Sequence, residues 1–187
     1  MMQPEPHDRK ALQARVEAGW APEYLLFWGH SASRGAPLGK ECLSQWYPAA
    51  FTLDGETYAT AEHYMMAQKA VLFGDAEVAA LIRASSKPAD VKALGRKVRG
   101  FDAARWEEHR FRVVAAGSHA KFSQNTAMLA FLLGTGARVL VEASPSDAIW
   151  GIGSAESDPR ARDPHQWPGL NLLGFALMHA RALLAAG

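Results

Sequence analysis

Glu62 and Lys69 are an ionisable pair whose spacing could do chemistry, and both lie in the segment Thr60–Ala70. Seven residues turn an α-helix by about 700°, so the two side chains would share one helical face, with Cα atoms roughly 10 Å apart. A carboxylate and an amine placed in this way can converge on a small ligand. The alternative is structural: Glu62 would favour the helix N-terminus by its charge, and Lys69 would be solvated. The spacing leaves both interpretations open.

A second acidic candidate lies in the loop 144–153, which follows the strand-like stretch Arg138–Ala143. This loop contains Asp147 and Trp150, and functional side chains concentrate in loops that a rigid strand supports. The two glycines that follow Trp150 would let the backbone approach a ligand closely. Alternatively, Asp147 stabilises a tight turn by accepting hydrogen bonds from nearby backbone amides. The spacing favours neither.

Aromatic and basic residues are the remaining candidates for ligand contacts. The chain has six tryptophans, and an aromatic face can stack on a base or stabilise a developing cation on a sugar, although most tryptophans belong to the core. Lys92, Arg96 and Arg99 follow one another at the i, i+4 and i+7 positions of a helix. Such a row could hold a phosphate, but a solvated basic face is the more common outcome.

Several classes of chemistry are disfavoured by what the sequence lacks. It has no GxGxxG dinucleotide fingerprint, Walker loop, GxSxG elbow or HExxH zinc motif. The seven histidines are scattered, and a single cysteine, Cys42, excludes an intramolecular disulfide and a thiolate-rich zinc site. We therefore expect neither a metal nor a cofactor.

Charge and hydropathy bear on partners and location. The formal net charge of +1 gives no general attraction to nucleic acid or to an anionic membrane. No segment approaches the roughly 20 apolar residues of a transmembrane helix, and the charged first twenty residues lack an apolar stretch of signal-peptide length. These features predict a cytoplasmic protein without a membrane partner.

Turn and cap residues divide the chain into mostly helical elements. Asp54-Gly55 predicts a type I′ hairpin turn between strands at 50–53 and 56–59, and further strands are expected at 24–28 and 138–143. Helix caps and stops predict helices at 7–18, 61–73, 76–84, 88–100, 125–134 and 170–185, with a longer one after Asp102.

These elements predict a mostly helical α+β domain with a small antiparallel sheet. A chain of 187 residues suits one domain with a full hydrophobic core. We expect this domain to span residues 23–187 and to be preceded by an N-terminal extension over residues 1–22.

In their order along the chain, the motifs resemble those of the NADAR family, which is named for proposed links to NAD and ADP-ribose and includes the YbiA-like enzymes. The matching motifs are Phe27-Trp28-Gly29-His30, Leu43–Pro48, Thr60–Ala70 with Phe73-Gly74-Asp75, Lys92–Arg96, Phe101-Asp102 with Trp106, Lys121-Phe122 with Gln124-Asn125, Leu140–Gly153, Trp167 and Gly169–Gly174. They span about Phe27 to Leu184, nearly the whole chain, so chance is a poor explanation.

The resemblance implies an N-glycosidase that hydrolyses a ribose–nitrogen bond in a small nucleotide-like substrate. Some similar members cleave ribosylamino-pyrimidine phosphates, which are intermediates of riboflavin biosynthesis. Others remove ADP-ribose from guanine in DNA or nucleotides, although the near-neutral charge argues mildly against a protein that grips long DNA. A third possibility is a non-catalytic ADP-ribose-binding module, and the joint presence of Glu62, Lys69 and Asp147 speaks against it.

The family's functional positions correspond to Glu62, Lys69, Trp106 and Asp147. The resemblance implies that Glu62 and Asp147 are catalytic carboxylates, one assisting departure of the base and the other acting on the sugar side. Lys69, if desolvated, could attack the anomeric carbon and form a Schiff base with the opened ribose. The further expected substrate contacts are Trp106, Trp150, Trp46 and Phe27, with Arg96 and Lys121 for the phosphate.

Overall fold

The computed structural model describes residues 5–31, 35 and 37–187. In this part of the chain the helices are α1 (Arg9–Glu17), α2 (Ala61–Leu72), α3 (Ala76–Ala84), α4 (Pro88–Gly95), α5 (Ala103–Ser123), α6 (Thr126–Gly134) and α7 (Leu172–Ala186). The strands are β1 (Tyr24–Phe27), β2 (Phe51–Leu53), β3 (Glu56–Tyr58) and β4 (Val139–Glu142), and short 3₁₀ turns lie at Lys40–Leu43 and Pro159–Arg162. The α+β prediction is confirmed.

Helix starts follow the predicted capping residues. The side chain of Thr60 accepts a hydrogen bond from the backbone N–H of His63 at the start of α2. Asp75 caps α3 in the same way, and Asp102 caps α5. Each cap satisfies one of the N–H groups that a first helical turn leaves without a partner.

Helix α4 ends at Gly95, five residues before the predicted stop at Gly100. The chain leaves the helix because Arg99 binds Asp75. The backbone N–H and the Nε of Arg99 donate hydrogen bonds to Asp75 Oδ2 at 2.9 and 3.1 Å. A charge-assisted contact to a buried carboxylate outweighs one more helical turn at the surface.

The hairpin of β2 and β3 turns at Asp54 and Gly55, whose φ angles are 53° and 80°. Two consecutive residues with positive φ define the predicted type I′ turn. The strands pair antiparallel, with Phe51 opposite Tyr58.

Strands β1 and β4 add a parallel pair, in which Tyr24 faces Val139 and Phe27 faces Glu142. The predicted antiparallel pairing is thus found between β2 and β3, whereas β1 and β4 pair in parallel. A parallel pair requires a long crossover, and here helices α2 to α6 supply it. Because the strands run in one direction, the loops that follow Phe27 and Glu142 leave from the same edge.

The core forms around these elements in two clusters. One surrounds β1, β4 and α7, and the three residues Val139, Leu140 and Val141 have no solvent exposure. The other lies between the hairpin and helices α2, α3 and α4. Helix α5 packs against both α2 and α7 and so joins the two clusters.

Helix α1, in the predicted extension, packs on the rest of the chain. Leu12 is fully buried, and Arg9 Nη1 donates to the backbone oxygens of Trp167 and Gly169 at 2.7 and 3.1 Å. Residues 1–4 of that extension lie outside the described residues. Among the residues that the structure describes, every helix is too short or too polar to cross a lipid bilayer.

Candidate active site

A cavity of about 520 Å³ opens where the loops after β1 and β4 meet the first turn of α2. We call it the acidic cavity, because three carboxyl side chains line it. Its ionisable and aromatic lining residues are Glu62, Glu142, Asp147, Lys92, His30, Trp28, Trp46 and Trp150. Ligand sites commonly lie at the carboxyl ends of parallel strands.

Glu62 stands in the first turn of α2 and is only 3% exposed. Its backbone N–H donates to Gln45 O at 3.0 Å, which joins the helix start to the segment that carries Trp46. Burial raises the pKa of Glu62 to about 7, against the lowering effects of Lys92 and of a hydrogen bond from the Trp46 side chain. A carboxyl with this pKa can exchange protons near neutral pH.

Asp147 lies in the loop after β4 and forms the tight turn that one interpretation of its motif predicts. Its Oδ1 accepts hydrogen bonds from the backbone N–H groups of Ile149 and Trp150, at 2.9 and 2.8 Å. The same residue lines the acidic cavity. The tight turn therefore holds the carboxylate and Trp150 beside the cavity.

Glu142 is the acidic lining residue that the sequence analysis missed. It is the last residue of β4, and its Oε2 is shielded from solvent and has no hydrogen-bond partner among the described residues. Burial and the negative charges of Asp147 and Glu62 raise its pKa to about 8, while Lys92 lowers it. Its position near the end of the predicted strand 138–143, just before a candidate loop, was the signal that could have identified it.

Of the predicted basic row, only Lys92 reaches the cavity. Its Nζ lies 5.9 Å from the centroid of the Trp46 ring. Arg96 is exposed at the end of α4 and is not a lining residue. Arg99 is held by Asp75 and Glu77, at 2.5 and 2.9 Å.

Lys69 lies on the face of α2 that meets the end of α4. Its Nζ donates to Gly95 O at 2.7 Å and lies 4.2 Å from the centroid of the Phe101 ring. Burial lowers its pKa. The structure therefore places Lys69 against α4. Glu62 lines the cavity and Lys69 does not.

Three further predicted contacts also lie outside the cavity lining. Phe27 is fully buried and Trp106 is 9% exposed, and both belong to the core around β1 and β4. Lys121 is buried, and its Nζ donates to Cys42 O and Ser44 O at 2.7 and 2.8 Å. Lys121 therefore supports the segment that leads to Trp46, and burial lowers its pKa to about 7.

The site thus combines titratable carboxyls with aromatic walls. Trp46 and Trp150, both predicted, line the cavity, as does Trp28, whose side chain is 59% exposed. Among the described residues no group of three or more His, Cys, Asp or Glu side chains is arranged to hold a metal ion. The arrangement suits proton transfer beside a stacked ring.

The profile of the NADAR domain matches residues 26–185, so the chain belongs to the NADAR family. It is 43% identical over 164 residues to "N-glycosidase R617" of Acanthamoeba polyphaga mimivirus, which covers 85% of this chain and 95% of that protein. It is 35% identical over 133 residues to "N-glycosidase YbiA" of Escherichia coli (strain K12), covering 71% and 74%.

A solved structure agrees with this assignment. The NMR structure of the E. coli protein YbiA superposes with a TM-score of 0.68 at 28% identity, covering 89% of this chain and 88% of that one. The family and the fold therefore agree over most of the described residues.

Proposed function

We propose that this protein is an N-glycosidase that hydrolyses the ribose–nitrogen bond of ribosylamino-pyrimidine phosphates, intermediates of riboflavin biosynthesis. The observation that carries the proposal is the meeting of Glu62 and Asp147 in one cavity with aromatic walls. Relatives named N-glycosidases support the reaction class.

The two carboxyls suit two tasks of this reaction, charge stabilisation and activation of water. Cleavage of a ribose–nitrogen bond passes through a transition state with oxocarbenium character, which a nearby carboxylate stabilises. Asp147, held by two backbone N–H groups, serves the sugar side. Glu62, with its pKa raised to about 7, orients the attacking water and takes its proton.

The rest of the cavity suits a flat ring and a phosphate. Trp46 and Trp150 line the walls, where an aromatic face can stack on a pyrimidine. Among the described lining residues Lys92 provides a cation, and an ammonium group binds phosphate oxygens. Arg96 follows one helical turn later on the exposed surface and extends this basic side.

In this scheme Lys69 is a positioning residue that holds helix α4. Its bond to Gly95 O holds the end of α4, and α4 carries Lys92. The ammonium group thereby stabilises the element that places the cavity's cation.

The second candidate function is removal of ADP-ribose from guanine. The observation that favours it is the rim of the cavity, where Trp28 and Ile149 are 59% and 45% exposed. An exposed tryptophan at a rim offers a surface for a second base, which an ADP-ribosylated substrate carries and a pyrimidine intermediate lacks.

Mass spectrometry of base release separates these functions. The protein and its Glu62→Gln variant are incubated in parallel with a ribosylamino-pyrimidine phosphate and with ADP-ribosylated guanosine. We expect release from the pyrimidine substrate and a loss of about 10²–10⁴-fold in the variant, because Glu62 can no longer take the proton from water.

The matched control is Glu108→Gln, on the exposed side of α5, which should match the wild type. Release from the guanosine substrate alone would favour the second function. Tight binding of ADP-ribose without release from either substrate would identify a binding module.

A further inference from the structure

We propose that Glu142 is a third catalytic carboxyl of the acidic cavity, the acid that protonates the leaving nitrogen. This assignment rests on the proposed glycosidase reaction and completes its proton balance. It is carried by the placement of Glu142 and by the state of its side-chain oxygen.

The backbone of Glu142 is held on three sides. Its N–H donates to Asn171 Oδ1 at 2.9 Å, its carbonyl accepts from the N–H of Ile152 at 2.9 Å, and it pairs in register with Phe27. The side chain lines the cavity from this rigid base. A group held in this way can meet a reacting atom without a large reorganisation.

The three acids of the cavity differ in what their carboxyl groups receive. Asp147 accepts hydrogen bonds from two backbone N–H groups, and Glu62 accepts a hydrogen bond from the Trp46 side chain. Glu142 Oε2 is shielded from solvent and has no partner among the described residues. A buried carboxylate oxygen without a donor is costly, whereas a protonated carboxyl can offer its own O–H to a ligand.

The charges that face Glu142 support the protonated form. Glu62 from α2 and Asp147 from the following loop are negative neighbours, and Lys92 from α4 opposes them. His30, in the loop after β1, is the remaining titratable side chain among the described residues that line the cavity. Burial acts in the same direction as the two acids, so the pKa of about 8 leaves Glu142 protonated at neutral pH.

The proton balance then closes. The bond between the anomeric carbon and nitrogen breaks, its electron pair stays on the nitrogen, and the proton of Glu142 is transferred to that nitrogen. Water adds its oxygen to the anomeric carbon and gives a proton to Glu62. That proton returns to Glu142, so one water is consumed and both acids are restored.

A Glu142→Gln variant tests the assignment with two substrates that differ in leaving group. On a ribosylamino-pyrimidine phosphate we expect kcat to fall about 10²–10⁴-fold. On p-nitrophenyl riboside 5-phosphate we expect kcat to change by less than about threefold. The p-nitrophenolate leaving group departs without a proton, so a general acid is not required. Glu62→Gln should be impaired on both substrates, and Glu108→Gln on neither.

The pH profile provides a second readout. Wild-type kcat/KM should fall above about pH 8, where Glu142 loses its proton, and below about pH 7, where Glu62 gains one. The alkaline limb should disappear in Glu142→Gln and persist in a Glu142→Asp variant. Circular dichroism checks that each variant is folded.

Equal losses on both substrates, or unchanged activity with the alkaline limb intact, would overturn the role of Glu142. In either case an active wild type and an impaired Glu62→Gln leave the proposed function standing. A wild type that cleaves neither substrate removes the proposed function and this inference together.

Discussion

Three buried or half-buried carboxyls share one cavity with the cation of Lys92. Burial and mutual repulsion raise the pKa of both Glu62 and Glu142. Such clustering costs stability, since an unpaired buried charge is disfavoured, and perturbed carboxyls concentrate at functional sites. At the scale of single residues, these raised pKa values fit the proposed proton transfer.

The half-buried amine of Lys69 and the buried amine of Lys121 have a different use. Lys69 and Lys121 each donate to backbone carbonyl oxygens. These bonds tie together segments that are distant in the sequence. We propose that these amines affect the cavity through the elements that they hold.

The Lys69→Arg variant tests whether this lysine positions α4 or reacts with the substrate. Arginine keeps a donor for Gly95 O and a cation over Phe101, so we expect turnover within about threefold of the wild type. Lys69→Met removes both contacts and should lower turnover and Tm together. Steady-state rates and thermal melts measure these effects. Loss of turnover in Lys69→Arg at an unchanged Tm would instead identify the amine as a nucleophile.

At the scale of elements, Asn171 completes the edge of β4. Its Oδ1 accepts from the N–H of Glu142 and its Nδ2 donates to Leu140 O, both at 2.9 Å. One side chain thus replaces the missing neighbouring strand. Asn171 is fully buried and has a φ of 56°, a left-handed conformation that asparagine tolerates better than most residues.

Replacing Asn171 should therefore affect both stability and the site. Asn171→Gly tolerates the positive φ but leaves a buried N–H and a buried carbonyl without partners, so we expect a loss of about 2–4 kcal/mol in unfolding free energy. Asn171→Ala should lose about 1 kcal/mol more, because alanine is strained at this φ. Urea denaturation measures both. A stability equal to the wild type in Asn171→Gly would show that the two hydrogen bonds contribute nothing.

Gly151 keeps the loop that carries Asp147 close to its supports. A Cβ on Gly151 would lie 2.8 Å from Glu142 O and 2.9 Å from Asp147 O. These contacts are closer than a carbon and a carbonyl oxygen allow. The loop that carries Asp147 can therefore fold back on the end of β4 only with glycine at this position.

At the scale of the whole molecule, helix α1 is part of the packed structure. Besides the contacts of Arg9, Gln13 Nε2 donates to Pro164 O at 2.9 Å, and Glu5 pairs with the buried Arg181 at 2.7 Å. Arg181 also donates to Thr135 Oγ1. The segment before β1 is therefore bound to the C-terminal third of the chain.

We expect Leu12→Ala to destabilise the whole chain in one step. Removing a fully buried leucine side chain costs about 2–5 kcal/mol. At about 2–4 °C per kcal/mol for a chain of this size, Tm should fall by roughly 4–20 °C in a single transition. Differential scanning calorimetry measures this, with Lys10→Ala on the exposed side of α1 as the control. A separate low-temperature transition would show that α1 unfolds independently.

Local sequence patterns predicted much of this structure. The caps at Thr60, Asp75 and Asp102 and the turn at Asp54 and Gly55 depend on hydrogen bonds and φ preferences within a few residues. Their positions could therefore be read directly. The family followed from the order of the motifs, and its assignment is confirmed by the NADAR match.

What only the tertiary structure decided is which side chains meet. Glu62 and Asp147 share a cavity with Glu142 and Lys92, while Lys69 points to the end of α4. The parallel pairing of β1 with β4 was equally hidden from local patterns. The physical reason is range: backbone conformation responds to neighbours in the sequence, whereas side-chain direction, burial and pKa depend on elements that packing brings together from distant parts of the chain.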